Sequence, residues 1–136
     1  MGRILSIDFG TKRCGIAVTD PERIIATGLT TVSTKDIFDF LEKYIAEETV
    51  DIIVLGDPKQ LDGSENDVSA KVDRLASVLT KTYPNIKIDR IDERYTSKQA
   101  QETLILSNTK KKKRRDKSLL DKISATIILQ TYLDQI

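Results

Sequence analysis

The sequence predicts an α/β protein: a mixed sheet covered by helices, with elements in the order βββαβαβαα. Three observations carry this. The chain opens with two apolar runs around a polar interruption, the mark of an antiparallel hairpin. After a third strand-like run, β-branched segments alternate with stretches whose apolar residues recur every three or four positions. The segment Asp51-Ile52-Ile53-Val54-Leu55-Gly56 is nearly continuous in apolar residues, as in a strand buried on both faces.

Taken in order, the hairpin is Ile4–Phe9 and Ile16–Val18 about the turn Gly10-Thr11-Lys12. Asp20-Pro21-Glu22-Arg23 supplies the next turn, and residues 24–32, rich in β-branched types, form the third strand. Thr34 is placed as the N-cap of a helix whose apolar face is Ile37, Phe38, Leu41, Tyr44 and Ile45. The Ile52–Leu55 strand follows, then a loop with Pro58 and Gly63. Ser64 and Asp67 open a helix with Val68, Val72, Leu75, Ala76 and Leu79 on one side. Residues 86–91 alternate as a fifth strand. Thr96 and Gln99 make a capping box for a helix through Leu106, and Ser118 begins a last helix anchored by Leu120, Ile123, Ile127, Ile128 and Leu133. At 136 residues with no repeat and no long linker, residues 1–136 read as one domain.

Composition removes several function classes. There is no His and a single Cys, Cys14, so a zinc site is disfavoured and an internal disulfide is excluded; a lone thiol fits a reducing, cytoplasmic setting. The N-terminus lacks the pattern of a signal peptide, and the apolar runs fall well short of the roughly 20 residues that span a bilayer. Any metal would be a hard cation on carboxylate oxygens. Net charge is +1, but residues 110–117 alone hold seven basic residues and one acid, +6, leaving the rest of the chain at −5. A concentrated basic segment on an acidic body points to a polyanion such as nucleic acid; the plainer alternative is a solvated charged loop.

Asp8 is the anomaly of the first strand, because Asp is depleted in strands and a buried carboxylate needs a hydrogen bond, a counter-charge or a cation. By itself it is equally an acid held by backbone N–H groups of its turn. Two more acids bear on the choice. Glu93 follows the fifth strand, and Asp121 lies in the first turn of the last helix, on a face continuing through Ser124 or Ala125, then Ile128 and Tyr132. If strands one and five run parallel with Ile52–Leu55 between them, Asp8 and Glu93 meet at one sheet edge, where ligands of open α/β sheets gather. Small residues in the last helix bring Asp121 there. Like charges at about 4 Å repel by on the order of 4 kcal/mol at an effective dielectric near 20, so three converging carboxylates imply a divalent cation. Each acid also has a structural explanation: Asp121 beside the helix dipole, and Glu93 paired to Arg94.

Asp8-x-Gly10-x-Lys12-Arg13-x-Gly15, Asp92-Glu93-Arg94-Tyr95-Thr96-Ser97, and Asp121-Lys122-Ile123-Ser124-Ala125-x-x-Ile128-Leu129-Gln130-x-Tyr132-Leu133 together resemble the YqgF family. These bacterial proteins are also called RuvX, and are named as pre-16S rRNA nucleases or as Holliday junction resolvases. The resemblance spans essentially the whole chain and implies an RNase H-like fold, with three antiparallel strands, two parallel ones and helices on both faces. It implies catalysis by Asp8, Glu93 and Asp121, which would hold one or two Mg²⁺ or Mn²⁺ ions. Lys12, Arg13 and Arg94 would meet phosphate oxygens, and Lys110, Lys111, Lys112, Lys113, Arg114 and Arg115 would track the backbone. The expected function is hydrolysis of phosphodiester bonds in a 16S rRNA precursor, with branched DNA as the other substrate, and the protein as monomer or homodimer. Gly56-Asp57-Pro58 stands where the family usually has Gly-Leu-Pro, and Ser124 where Ala is typical. Asp57 is left out of the acidic set as a turn former before proline.

Two other classes compete. A nucleic-acid-binding protein without catalysis could use the same fold. Asp8-x-Gly10-Thr11 is also similar to the phosphate loop of actin-like ATPases, but 136 residues are too few for the second domain that closes over a nucleotide. No aromatic residue interleaves the basic run, which argues against base stacking there.

Overall fold

The computed structural model describes residues 2–57, 67–92 and 117–136, excepting the side chains of residue 67 and residues 117–121. Its strands are β1 (Arg3–Phe9), β2 (Arg13–Thr19), β3 (Ala26–Ser33), β4 (Val50–Asp57) and β5 (Lys87–Asp92). Its helices are α1 (Ile37–Glu47), α2 (Asp67–Thr82) and α3 (Lys117–Gln135), with a 3₁₀ turn at Thr34–Asp36 before α1. The sheet order is β3-β2-β1-β4-β5. β1 pairs antiparallel with β2, and β2 with β3; β1 pairs parallel with β4, and β4 with β5. The expected mixed sheet, with β4 between β1 and β5, is therefore observed.

Alternation along each strand divides the core into two layers. Leu5, Ile7, Ile16, Ile53 and Leu55 pack with Leu41 of α1 and with Val72, Leu75 and Leu79 of α2. Ile4, Ala17, Val54 and Ile91 pack on the other face with Ala125, Ile128, Leu129 and Tyr132 of α3. Burying each such aliphatic side chain contributes about 1.5–3 kcal/mol, and the interior strands β1 and β4 supply side chains to both layers. Small residues set how close α3 comes. A Cβ on Gly28 would stand 2.7 Å from Lys122 Cγ and 3.0 Å from Thr126 Oγ1.

Four expectations need correction. Residues 24 and 25 do not join β3. The Asp20 carboxylate accepts both the Ile24 and Ile25 N–H groups at 2.8 Å, which takes those donors from the ladder and leaves both side chains exposed. Thr34 does not cap α1. Its hydroxyl donates to the Gly10 carbonyl at 2.6 Å and its N–H to the Lys12 carbonyl at 3.0 Å, so it braces the first hairpin turn instead. Phe38 is not in the core: it is 45% exposed, while Phe40 packs inward and stacks on Tyr44. The other four residues of the expected face, Ile37, Leu41, Tyr44 and Ile45, do pack on the core, so Phe38 alone falls at its solvent margin. α3 also begins at Lys117, so Asp121 falls beyond its first turn. That weakens the helix-dipole explanation of Asp121, since the dipole's effect fades within a turn. The expected helix through Leu106 lies outside the described residues. Among the described residues, no helix is long and apolar enough to cross a membrane.

Candidate active site

Asp8 lies one residue before the end of β1, opposite Gly15 of β2, and is half-buried. The turn behind it is tight: a Cβ on Gly10 would stand 2.5 Å from the Arg13 carbonyl oxygen, so only glycine fits. Lys12 is exposed on this turn, and Arg13 begins β2, partly buried.

The face that Asp8 occupies follows from its neighbours. Ile4 packs against α3, and the Ser6 hydroxyl, fully buried, donates to the Ala125 carbonyl at 2.6 Å. Strand alternation puts Asp8 on that same α3 face. Asp121 is four residues before Ala125, one helical turn earlier, so a single bond sets the offset between the strand and the helix that bear these acids. Ser124 is partly buried, whereas Ala125 is fully buried.

β5 runs parallel to β1 with β4 between them, and ends at Asp92, immediately before Glu93. Two side-chain straps hold this edge strand. On the α3 face, the Tyr132 hydroxyl donates to Asp89 Oδ2 at 2.9 Å. Burial works to raise the Asp89 pKa, but the Arg90 N–H, the Tyr132 hydroxyl and the Lys87 ammonium outweigh it and hold the carboxyl below its usual value. Burial and the Asp89 charge push the Tyr132 hydroxyl up. On the α2 face, Arg90 pairs with Asp57 at 3.2 Å and with Asp73 of α2.

That pairing accounts for Asp57. Ile53 and Leu55 face α1 and α2, and Asp57 continues their alternation, on the side of the sheet opposite Asp8. Asp57 is therefore not the turn former expected from the proline after it: it ends β4, in register with Asp92 of β5. Glu93, Arg94 and the basic residues 110–115 lie outside the described residues, as does the side chain of Asp121. Among the described residues no three metal-ligating side chains gather. Two positioning residues, Ser6 and Thr34, had no signal in the sequence, because their partners are 119 and 24 residues away.

The family model described as "RuvX: Holliday junction resolvase" matches residues 2–135. The chain belongs to the RuvX family. Two curated relatives of this RuvX protein share the name "Putative pre-16S rRNA nuclease". The one from Christiangramia forsetii is 47% identical over 133 residues, covering 98% of each chain. The one from Porphyromonas gingivalis is 48% identical over 134 residues, covering 98% of this chain and 97% of the relative. Fowlpox virus resolvase, solved with Holliday junction DNA, superposes with a TM-score of 0.61 at 14% identity, over 98% of this chain and 97% of that one. Thermus thermophilus RuvC with its junction substrate gives 0.59 at 15% identity, over 99% and 96%. At those identities the likeness is one of fold, and the fold is RNase H-like. Its family makes this protein a nuclease, a hydrolase of phosphodiester bonds.

Proposed function

We propose that this RuvX protein is a metal-dependent nuclease of the cytoplasm that cleaves a structured 16S rRNA precursor, with residues 1–136 as one nuclease domain. The observation that carries the site is the parallel run of β1, β4 and β5, which brings Asp8 and the end of the strand before Glu93 to the same edge of the sheet.

The donor set fits a hard divalent ion. Asp8 offers carboxylate oxygen at a half-buried position, the chain has no His, and Cys14 is buried in the layer of α1 and α2. Asp8, Glu93 and Asp121 would hold one or two Mg²⁺ or Mn²⁺ ions. The ion supplies an activated water and stabilises the leaving oxygen. The chain's own cations do the rest: Lys12 on its exposed turn, Arg13 and Arg94 neutralise non-bridging phosphate oxygens. Lys110 to Arg115 track the backbone and give affinity with little sequence choice.

The test is cleavage of a precursor spanning the 16S rRNA 5′ end, in Mg²⁺ and in chelator, by wild type and by Asp8→Asn, Glu93→Gln and Asp121→Asn. Loss of cleavage in chelator and in all three variants is expected; cleavage that persists in any one removes that acid from the set. The family's description favours a second substrate, branched DNA. A resolvase cuts two opposed strands and needs a two-fold dimer. Solution mass and a four-way junction assay separate a monomeric RNA nuclease from a dimeric resolvase.

A further inference from the structure

On the face of the sheet opposite Asp8, α1 and α2 leave a groove of about 370 Å³ between them. Phe9, Phe38 and Val78 line it above the buried Ile37 and Leu75, and Lys71 and Arg74 of α2 contribute cations. Phe38 and Val78 are 45% and 44% exposed, so the groove presents an aromatic face to solvent.

Its position ties it to the site. Phe9 is the residue after Asp8, and alternation turns the two to opposite faces of the same strand end. Thr34, which also lines the groove, holds the Gly10 carbonyl and the Lys12 carbonyl, so the turn carrying Lys12 borders the groove. Lys71 and Arg74 therefore place positive charge beside an apolar, aromatic hollow at the strand end that carries Asp8.

Its contents and size select the occupant. The volume lies within the range of small-ligand sites. Two exposed large apolar side chains fall well short of the roughly 800 Å² per partner of a standard protein interface. Aromatic faces beside cations are the elements that bind unstacked bases and their phosphates. We infer that the groove receives an unpaired nucleobase of the substrate strand, splayed over the sheet edge from the phosphate at Asp8. Phe9 and Phe38 are its stacking surfaces, and Lys71 and Arg74 meet the flanking phosphates. This rests on the reading of the Asp8 edge as the cleavage site.

The test measures binding in chelator, in an Asp8→Asn background that cannot cleave. The probes are two RNA duplexes of the same sequence, one with a single bulged 2-aminopurine and one with that base paired. The bulged probe is expected to bind tighter, with its fluorescence quenched as the base stacks. Phe38→Ala should weaken the bulged probe roughly tenfold and leave the paired one unchanged, and Arg74→Gln should weaken both. Phe38 is half exposed, so its truncation leaves the core intact, which thermal melts check. Equal effects of Phe38→Ala on both probes, or no effect, overturn the inference. So does a concentration-dependent solution mass that Phe38→Ala abolishes, which assigns the groove to a second copy. Wild-type Mg²⁺-dependent cleavage, measured alongside, tests the Asp8 reading independently: either result can fail while the other stands.

Discussion

The Ser6 hydroxyl donates 2.6 Å to the Ala125 carbonyl across 119 residues of sequence, with both residues fully buried. It is a tether between β1 and α3, two residues before Asp8 and one helical turn after Asp121. Neither group has water to fall back on, so the bond holds the helix at one register on the strand. Ser6→Ala should cost about 1–2 kcal/mol in urea unfolding, because the Ala125 carbonyl keeps its helical bond and only a hydroxyl is lost. If the tether sets the spacing of the acids, the same variant needs more Mg²⁺ for half-maximal cleavage. An unchanged Mg²⁺ requirement would confine Ser6 to stability.

Arg90 joins three elements, pairing with Asp57 of β4 and Asp73 of α2 from its place on β5. The Asp57 side chain is only 14% exposed. Arg90→Met keeps the apolar stem but removes the guanidinium beside a largely buried carboxylate, so the fold should lose about 2–3 kcal/mol, toward the lower end for breaking a buried pair because Arg90 and Asp73 are partly solvated. Arg90→Met with Asp57→Asn should recover part of the loss. No recovery would mean that Arg90 acts through packing alone.

The Asp89 carboxyl is held below its usual value. A carboxyl with a depressed folded pKa contributes stability above its unfolded value, near 3.8, and loses it as pH falls through the folded one. Tyr132→Phe removes one of the donors responsible. The variant should be less stable than wild type by about 1 kcal/mol at pH 7, and the gap should narrow as pH is lowered from about 4 to about 2. Chemical denaturation across that range checks the sign; a gap that widens toward acid would show that the Tyr132 hydroxyl favours the neutral carboxyl.

If Asp8 is held close to Glu93 and Asp121, metal-free protein carries their mutual repulsion. Asp8→Asn keeps the shape and removes a charge, so metal-free protein should gain about 1 kcal/mol. Added Mg²⁺ should no longer raise its melting temperature. A purely structural Asp8 gives the opposite sign, since a neutral amide accepts weaker hydrogen bonds. Melts of both proteins in chelator and in Mg²⁺ discriminate. A destabilised variant with a wild-type Mg²⁺ response would remove Asp8 from the metal site.

Changing Lys110, Lys111, Lys112 and Lys113 to Ser should weaken nucleic-acid binding at every sequence. Its salt dependence should flatten by roughly 0.7–0.9 for each phosphate that the segment no longer neutralises. Titrations at several salt concentrations measure the slope. An unchanged slope returns the segment to a solvated loop.

Local patterning was enough to read the sheet and most of its helices. Hydrophobic period separates strand from helix, and the near-continuous apolar run of β4 marks it as interior, because only a strand packed on both faces tolerates that composition. Asp8 near the end of β1 was legible for the same reason, whereas the start of α3, and so the turn on which Asp121 falls, was not. What the tertiary structure decided are the pairings over long sequence separations. Ser6 and Ala125, Thr34 and Gly10, and Arg90 with Asp57 and Asp73 leave no local trace, since a hydroxyl or guanidinium does not announce its partner. Phe38 sits at the margin of an α1 face whose other members, Ile37, Leu41, Tyr44 and Ile45, pack inward, and which margin residue is covered depends on the surface the helix meets. The groove of Phe9, Phe38, Lys71 and Arg74 had no sequence signal at all. An aromatic surface beside cations was absent from the basic run, and the fold assembles one from a strand end and two helices, because burial of the Leu41 and Leu75 faces against the same sheet fixes how those helices stand together.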